Sequence, residues 1–388
     1  MFSKDTISRF QQLETPFYYY DLDLLKQTLQ ACTTAAAPYH FHVHYAMKAN
    51  FNPKVLDLIQ SFGIGADCVS GGEVKAAIQH GFSKDKVVFA GVGKSDKEIN
   101  EALDSDIFCF NVESVQELQI INDLAKAKNK TASVAIRINP NVDAHTHHFI
   151  TTGLEENKFG VNTWELPAVA EALAKCPNLT FLGIHFHIGS QITDLGVYKN
   201  LCIRVNELQQ WFEDRNLPIK VLNLGGGLGV DYHHPDEKPV CDFESYFKVF
   251  HDFLNVKPGQ EVHFELGRAL VAQSAALISR VLYVKNGLKK NFLILDAGMT
   301  ELIRPMLYQA YHQIENLSRD TQLATDNSAI HYDVVGPICE STDCFRKDVE
   351  LEESFRGDLI AIRTAGAYGE VMVSGYNLRD RVGSVYSE

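Results

Sequence analysis

Residues 42–50, HVHYAMKAN, read as a strand that closes on a lysine, Lys48. Seven further runs of the same character follow at Gly65–Val69, Lys86–Ala90, Ile107–Val112, Ala132–Asn139, Phe181–Ile188, Val221–Leu224 and Val262–Leu266. A stretch of helical period separates most successive pairs, which is the pattern of a parallel sheet with crossover helices. Eight such units predict an α/β chain built on a (β/α)8 barrel.

Helix punctuation agrees with this rhythm. Ser70-Gly-Gly-Glu73 has capping-box spacing directly before VKAAIQHG, whose Gly81 is placed to stop the helix. After about residue 275 the pattern changes to strand-like runs (LISRVLYVK, FLILDAG, YDVVG, DLIAIRT) divided by turn-rich segments, without long amphipathic helices. The expected organisation is therefore a barrel over residues 36–275 and a β domain formed by 1–35 and 276–388, with FYYYD contributing a strand to the latter. There is no internal repeat beyond the β/α rhythm and no low-complexity linker.

A chain of 388 residues with 45% hydrophobic content can bury a large core. Its formal charge of -13 argues against a surface that tracks nucleic-acid phosphates, while leaving room for one basic pocket. The eight cysteines (32, 68, 109, 176, 202, 241, 339 and 344) are scattered without a C-x-x-C pair and read as reduced thiols. Neither a signal peptide nor a membrane span is evident, so the cytoplasm is the expected compartment.

In such a barrel, chemistry collects at the C-terminal ends of the strands. Lys48, Asp67, His187, Ser190, Gly225–Gly227, Glu265 and Arg268 all fall there. Singly, each has two readings. Lys48 is a solvated rim residue or a desolvated amine that forms an imine with a carbonyl cofactor. The glycine run NLGGGLG is a tight turn or a nest of N–H groups for a phosphate, and it departs from G-x-G-x-x-G because position 230 is Val. His187 is a packed histidine or, with HFH and HTHH, a metal ligand. No further ligands stand at a recognised zinc spacing, so no metal is expected.

Taken together, the motifs TPFYYYD, HYAMKAN, ADCVSGGE, FHIGSQ, NLGGGLG and HFELGR, with DAGMTELIRPMLY, GPICESTD and GAYG further on, make the chain resemble the fold-type III, alanine-racemase-like decarboxylases that use pyridoxal 5′-phosphate (PLP). The resemblance runs nearly end to end. It implies a PLP-binding barrel with a β domain, assembled as a homodimer with shared active sites. By the same resemblance, Lys48 holds the cofactor as a Schiff base with Asp67 beside it, His187 stacks on the ring, and Ser190, Gly227, Glu265, Gly267 and Arg268 hold the phosphate and the pyridine nitrogen. Tyr368 touches both cofactor and substrate. Relatives read HFEPGR where this chain has HFELGR, with Leu266 in place of Pro; both charged residues are kept.

Arg268, Arg304, Tyr308, Glu340 and Tyr368 match the family's substrate contacts. Arg304 and Glu340 supply a cation and an anion, as a distal carboxylate and a distal ammonium require, which points to meso-diaminopimelate, decarboxylated to L-lysine. Cys339 matches the family's proton donor. The rival readings are a decarboxylase of ornithine, arginine or carboxynorspermidine, and a non-catalytic PLP carrier; the latter needs no β domain bearing a Cys-Glu-Asp cluster. The segment His145–Gly153, rich in His and Thr, is the expected lid.

Overall fold

The computed structural model describes residues 2–142, 158–319 and 329–387. The expected lid His145–Gly153 lies outside the described residues. Two compact units are present. One comprises Leu29–Gly229 with Cys241–Leu270, the other Met1–Thr28, Val230–Val240 and Val271–Glu388. In chain order the strands are β1 (Phe17–Tyr20), then β2 (His42–Ala46), β3 (Gly65–Cys68), β4 (Val87–Phe89), β5 (Cys109–Val112), β6 (Ala132–Arg137), β7 (Leu179–His185), β8 (Val221–Asn223) and β9 (Glu261–Leu266). They continue with β10 (Ala275–Asn286), β11 (Asn291–Leu295), β12 (Ile314–Asn316), β13 (Ala329–Val335), β14 (Cys344–Glu352), β15 (Leu359–Ile362) and β16 (Gly383–Tyr386).

Strands β2 to β9 pair in parallel and close into a barrel, with β9 returning to β2 so that His42 stands opposite His263 and His44 opposite Glu265. A helix fills every connection between successive barrel strands, from Pro53–Ser61 to Phe243–Phe253. Most begin at side-chain caps: Ser70, Ser114 and Asp242 accept the amide three residues on at 3.2, 3.1 and 2.9 Å, each such cap worth about 1 kcal/mol. The reciprocal box expected at Ser70 is incomplete, because Glu73 reaches one residue further back and takes the amide of Val69 at 2.8 Å. A full box forms at Ser95 and Glu98 instead.

The first barrel strand is shorter than expected. It ends at Ala46, and Met47–Ala49 turn as a 3-10 helix closed by the Asn50 amide on Met47 O. The Tyr45 hydroxyl pins the turn by donating to Asn50 O at 2.7 Å. Lys48 therefore projects from a tight turn rather than from an extended strand.

The other unit is a mixed sheet in the order β12-β15-β10-β11-β13-β14, with β1 antiparallel to β10 and parallel to β16. Strand FYYY is buried on both faces. Phe17 and Tyr19 join Ala276, Ile278, Leu359 and Ala361 around Phe10 of the helix Lys4–Gln11. The Phe10 ring meets Phe17 and Tyr19 edge-on at 5.2 and 4.9 Å, a burial worth about 1.5–3 kcal/mol. On the opposite face Tyr18 and Tyr20 carry their hydroxyls to Glu301 O and the Glu370 carboxylate at 2.7 and 2.5 Å.

Residues 230–240 fall in this unit although the expected barrel range, 36–275, contains them. Arg363 grips Asp236 at 2.6 and 3.0 Å, and Gln273 donates to Lys238 O at 2.9 Å. All eight cysteines are free thiols. Among the described residues no helix is long and apolar enough to cross a membrane.

Candidate active site

A buried carboxylate organises the interior of the barrel near the C-terminal ends of its strands. Glu265 on β9 accepts from Asn111 Nδ2 at 3.0 Å and Asn223 Nδ2 at 2.7 Å on one oxygen, and from His185 Nε2 at 2.9 Å on the other. Strands β5 and β9 are four apart in a ring of eight, so the Asn111 bond spans the interior. Burial alone would raise the Glu265 carboxyl. The charge and hydrogen bond of His185, with His187 and Lys48 beyond, overcome that and hold it well below the usual carboxylate range.

Asp67 on β3 has the opposite fate. Burial, followed by the charge of Glu265, pushes its carboxyl well up, with Lys48 opposing. Its Oδ1 is buried without a hydrogen-bond partner among the described residues. The two carboxyl groups are thereby shifted in opposite directions, Glu265 down and Asp67 up. Lys48 is half-buried, and its charge reaches Asp67, Glu73, His187 and Glu265. His187 follows β7 and is held well below the ordinary histidine range by burial, then by the charges of Lys48 and Arg137.

The glycine run is required by backbone crowding. A Cβ on Gly225 would stand 2.1 Å from Phe186 O, and one on Gly226 1.8 Å from Glu265 O. Gly227 has φ +103 and faces Gly189 O at 2.6 Å from its ideal Cβ. Backbone bonds tie this run to the loop after β7, Ile192 N to Gly227 O and Gly229 N to Ile192 O, both at 2.9 Å. The tie brings Ser190 under Arg268, whose Nε and Nη2 reach the hydroxyl at 3.3 and 3.1 Å. Gly267 fits tightly against Ala46 and Ala49, which flank the Lys48 turn; its ideal Cβ lies 3.1 Å from each. Leu266 is fully buried opposite Tyr45, so the departure from Pro leaves a regular strand residue.

In the β unit, Arg304 is buried in the short helix Arg304–Tyr308. Its Nη1 donates to the Tyr232 hydroxyl and to His312 Nε2, both at 3.1 Å, while His312 Nδ1 donates to Arg363 O at 2.8 Å. Tyr308 is half-buried at the end of that helix. Cys339 and Glu340 are exposed; Asn377 Oδ1 accepts from the Cys339 amide at 3.1 Å, and the Tyr376 hydroxyl donates to Glu340 Oε1 at 2.7 Å. Tyr368 has φ 56, a left-handed backbone costly for a non-glycine residue. It lies between Gly366 and Gly369, where a Cβ would meet Val271 O at 2.0 Å and Ala365 O at 2.4 Å.

Residues 22–272 match the family model described as the pyridoxal-binding domain of pyridoxal-dependent decarboxylases. The chain belongs to that family. It is 56% identical over 375 residues to a diaminopimelate decarboxylase of Bacteroides thetaiotaomicron, covering 96% of each chain. It is 41% identical over 379 residues to a diaminopimelate decarboxylase of Aquifex aeolicus, covering 97% of this chain and 88% of that one. A diaminopimelate decarboxylase of Helicobacter pylori, solved in complex with L-lysine, superposes with a TM-score of 0.90 at 39% identity, covering 98% of this chain and 93% of that one.

As a pyridoxal-dependent decarboxylase the chain takes PLP, and the barrel residues fit that group. An aldehyde calls for an amine, which Lys48 carries; a protonated pyridine nitrogen calls for a buried anion, which Glu265 is. A phosphate calls for a cation, a hydroxyl and close backbone, which Arg268, Ser190 and the glycine run provide. The unpartnered Asp67 Oδ1 marks a polar group awaiting a donor. Sequence reasoning missed Asn111, His185 and Asn223, which hold Glu265 in place. Their signal was a polar residue inside an otherwise apolar strand.

Proposed function

We propose that this enzyme removes CO2 from meso-2,6-diaminopimelate and releases L-lysine. The observation that carries the reading is the 56% identity to a diaminopimelate decarboxylase across 96% of both chains. Bound PLP supplies the sink for the electron pair left when the carboxylate departs.

The roles of individual residues follow from their chemistry and from the motifs they share with the family. Lys48 would hold the cofactor through its carbonyl carbon, and its amine would remain near the substrate as a base. Glu265 keeps a proton on the pyridine nitrogen, and Asn111, Asn223 and His185 fix its position. His187 would lie against the ring, and its burial favours the neutral imidazole. Ser190, Gly227, Gly267 and Arg268 hold the phosphate. Arg304 and Glu340 read the distal carboxylate and ammonium, with Tyr308 and Tyr368 lining the substrate. Cys339 delivers a proton to the carbon that has lost CO2. The active form is a homodimer in the cytoplasm.

The test is to supply purified enzyme and PLP with meso-diaminopimelate, ornithine and arginine in parallel and to measure CO2 and amine product. Lysine and CO2 from meso-diaminopimelate alone support the proposal, whereas turnover of ornithine or arginine with none of diaminopimelate overturns it. Light scattering checks the dimer; a fully active monomer contradicts it.

A further inference from the structure

At the opposite, N-terminal mouth of the barrel, His42, Glu261 and His263 bring one ligand atom each within 4.8 Å of one another. They lie on β2 and β9, the first and last strands of the barrel, with His42 directly opposite His263 across the closing seam. They line a cavity of ≈ 470 Å³ together with His44, Lys86 and Phe108. None of them takes part in the chemistry at the other end of the strands.

A count of protons shows what this cluster lacks. Lys86 O is an acceptor, so His44 Nδ1, 3.0 Å away, must carry the proton toward it. His44 Nε2 is then a lone pair and accepts from His263 Nδ1 at 2.8 Å. That leaves His263 Nε2 as a second lone pair, facing the Glu261 carboxylate at 3.2 Å. Three contacts thus stand in a row between two acceptor ends, while two neutral imidazoles bring only two protons. Whichever tautomers are chosen, one pair of acceptors faces itself without a cation between. His263 lies nearly coplanar with His44, edge to edge (5.0 Å between centroids, 17°), and parallel to the Phe108 ring (5.5 Å, 4°), which holds it so that its Nε2 stays aimed at Glu261.

A proton on His263 would complete the row but would give no part in it to His42, whose ring lies 4.7 Å from that of His263. We infer that His42, Glu261 and His263 form a binding site for a divalent transition-metal ion of the zinc class, bridging the first and last strands of the barrel. Two imidazoles and a carboxylate are a ligand set that suits such ions. The 3.2 Å between His263 Nε2 and Glu261 Oε2 matches the edge, about 3.3 Å, of a tetrahedron with metal–ligand bonds of about 2.0 Å. His42 and Glu261 are exposed and free to close on the ion, while the cavity leaves an open coordination position for water. His44, bonded to Lys86 O, is the outer partner that fixes the tautomer of the buried ligand.

The expectation of no metal came from ligand spacing within single segments; here barrel closure assembles the ligands. The experiment uses the PLP-loaded enzyme, stripped with a chelator and titrated with zinc chloride by calorimetry, with thermal melting alongside. His42→Ala and Glu261→Gln serve as comparisons, since both positions are exposed and neither supports the core. One zinc per chain, a higher melting temperature with zinc, and affinity about tenfold or more weaker in each variant support the site. Zinc binding that is equal in the wild type and both variants, or no binding by the wild type at zinc concentrations on the order of 100 μM, overturns it. A wild type that takes no zinc while His263 titrates as an imidazolium by NMR assigns the missing charge to a proton and also overturns it.

Discussion

Substituting Glu265→Gln keeps the shape of the side chain and removes its charge, and the structure sets how the loss divides between folding and chemistry. The amide oxygen retains the bonds from Asn111 and Asn223 at 3.0 and 2.7 Å. The new NH2 then faces His185 Nε2, so the imidazole must move its proton to Nδ1, a buried atom with no hydrogen-bond partner among the described residues. One buried donor left unsatisfied costs about 1–3 kcal/mol, and the charge no longer buried offsets part of that. A fall in melting temperature of a few degrees is expected. The chemical loss is larger, because an amide does not keep a proton on the pyridine nitrogen. Losing one preorganised electrostatic contact of this kind lowers kcat about 10²–10³-fold, or about 2.7–4 kcal/mol. CO2 release from meso-diaminopimelate, the visible absorbance of the bound cofactor and thermal melting are to be measured on the same preparation. A variant that melts near the wild type, keeps its cofactor and retains kcat within about threefold refutes the role given to Glu265.

Lys48→Ala is expected to lose both the visible absorbance of the cofactor and CO2 release, and survival of either removes the lysine from the covalent role. Cys339→Ala is expected to keep the absorbance and lose most of its turnover; full activity excludes it as the proton donor. Glu113 is buried and accepts from Arg137 at 2.7 Å, and although burial raises its carboxyl, the charges of Arg137 and Lys94 bring it below the ordinary value. Its stabilising contribution is therefore complete above the unfolded pKa of about 4.3 and is lost as pH falls through the lower folded value. Breaking the pair in Glu113→Gln should destabilise by about 3–5 kcal/mol at pH 7. Urea unfolding should show the gap to wild type narrowing below about pH 4, and a gap that widens on acidification contradicts the assignment.

The sequence by itself determined the eightfold strand and helix rhythm, the placing of Lys48, Asp67 and Glu265 toward the C-terminal ends of barrel strands, and the motifs that carry the family. These are local properties: an apolar run, a cap, a glycine turn and a charged residue at the end of a strand each show in a window of a few residues. Lys48 was legible as a residue at the mouth of the barrel but not as one in a 3-10 turn, since that turn is closed by the Tyr45 hydroxyl and the Asn50 amide. Only the tertiary structure decided that Asn111, His185 and Asn223 converge on Glu265. Asn223 comes from β8, which pairs with β9, but Asn111 and His185 stand on strands that do not, and they reach Glu265 across the interior only once the barrel has closed. The same closure sets β2 beside β9 and joins His42 and His44 to Glu261 and His263, more than two hundred residues away. Contacts across a closed sheet depend on register and on which strand returns to which, and no short window of sequence holds that information.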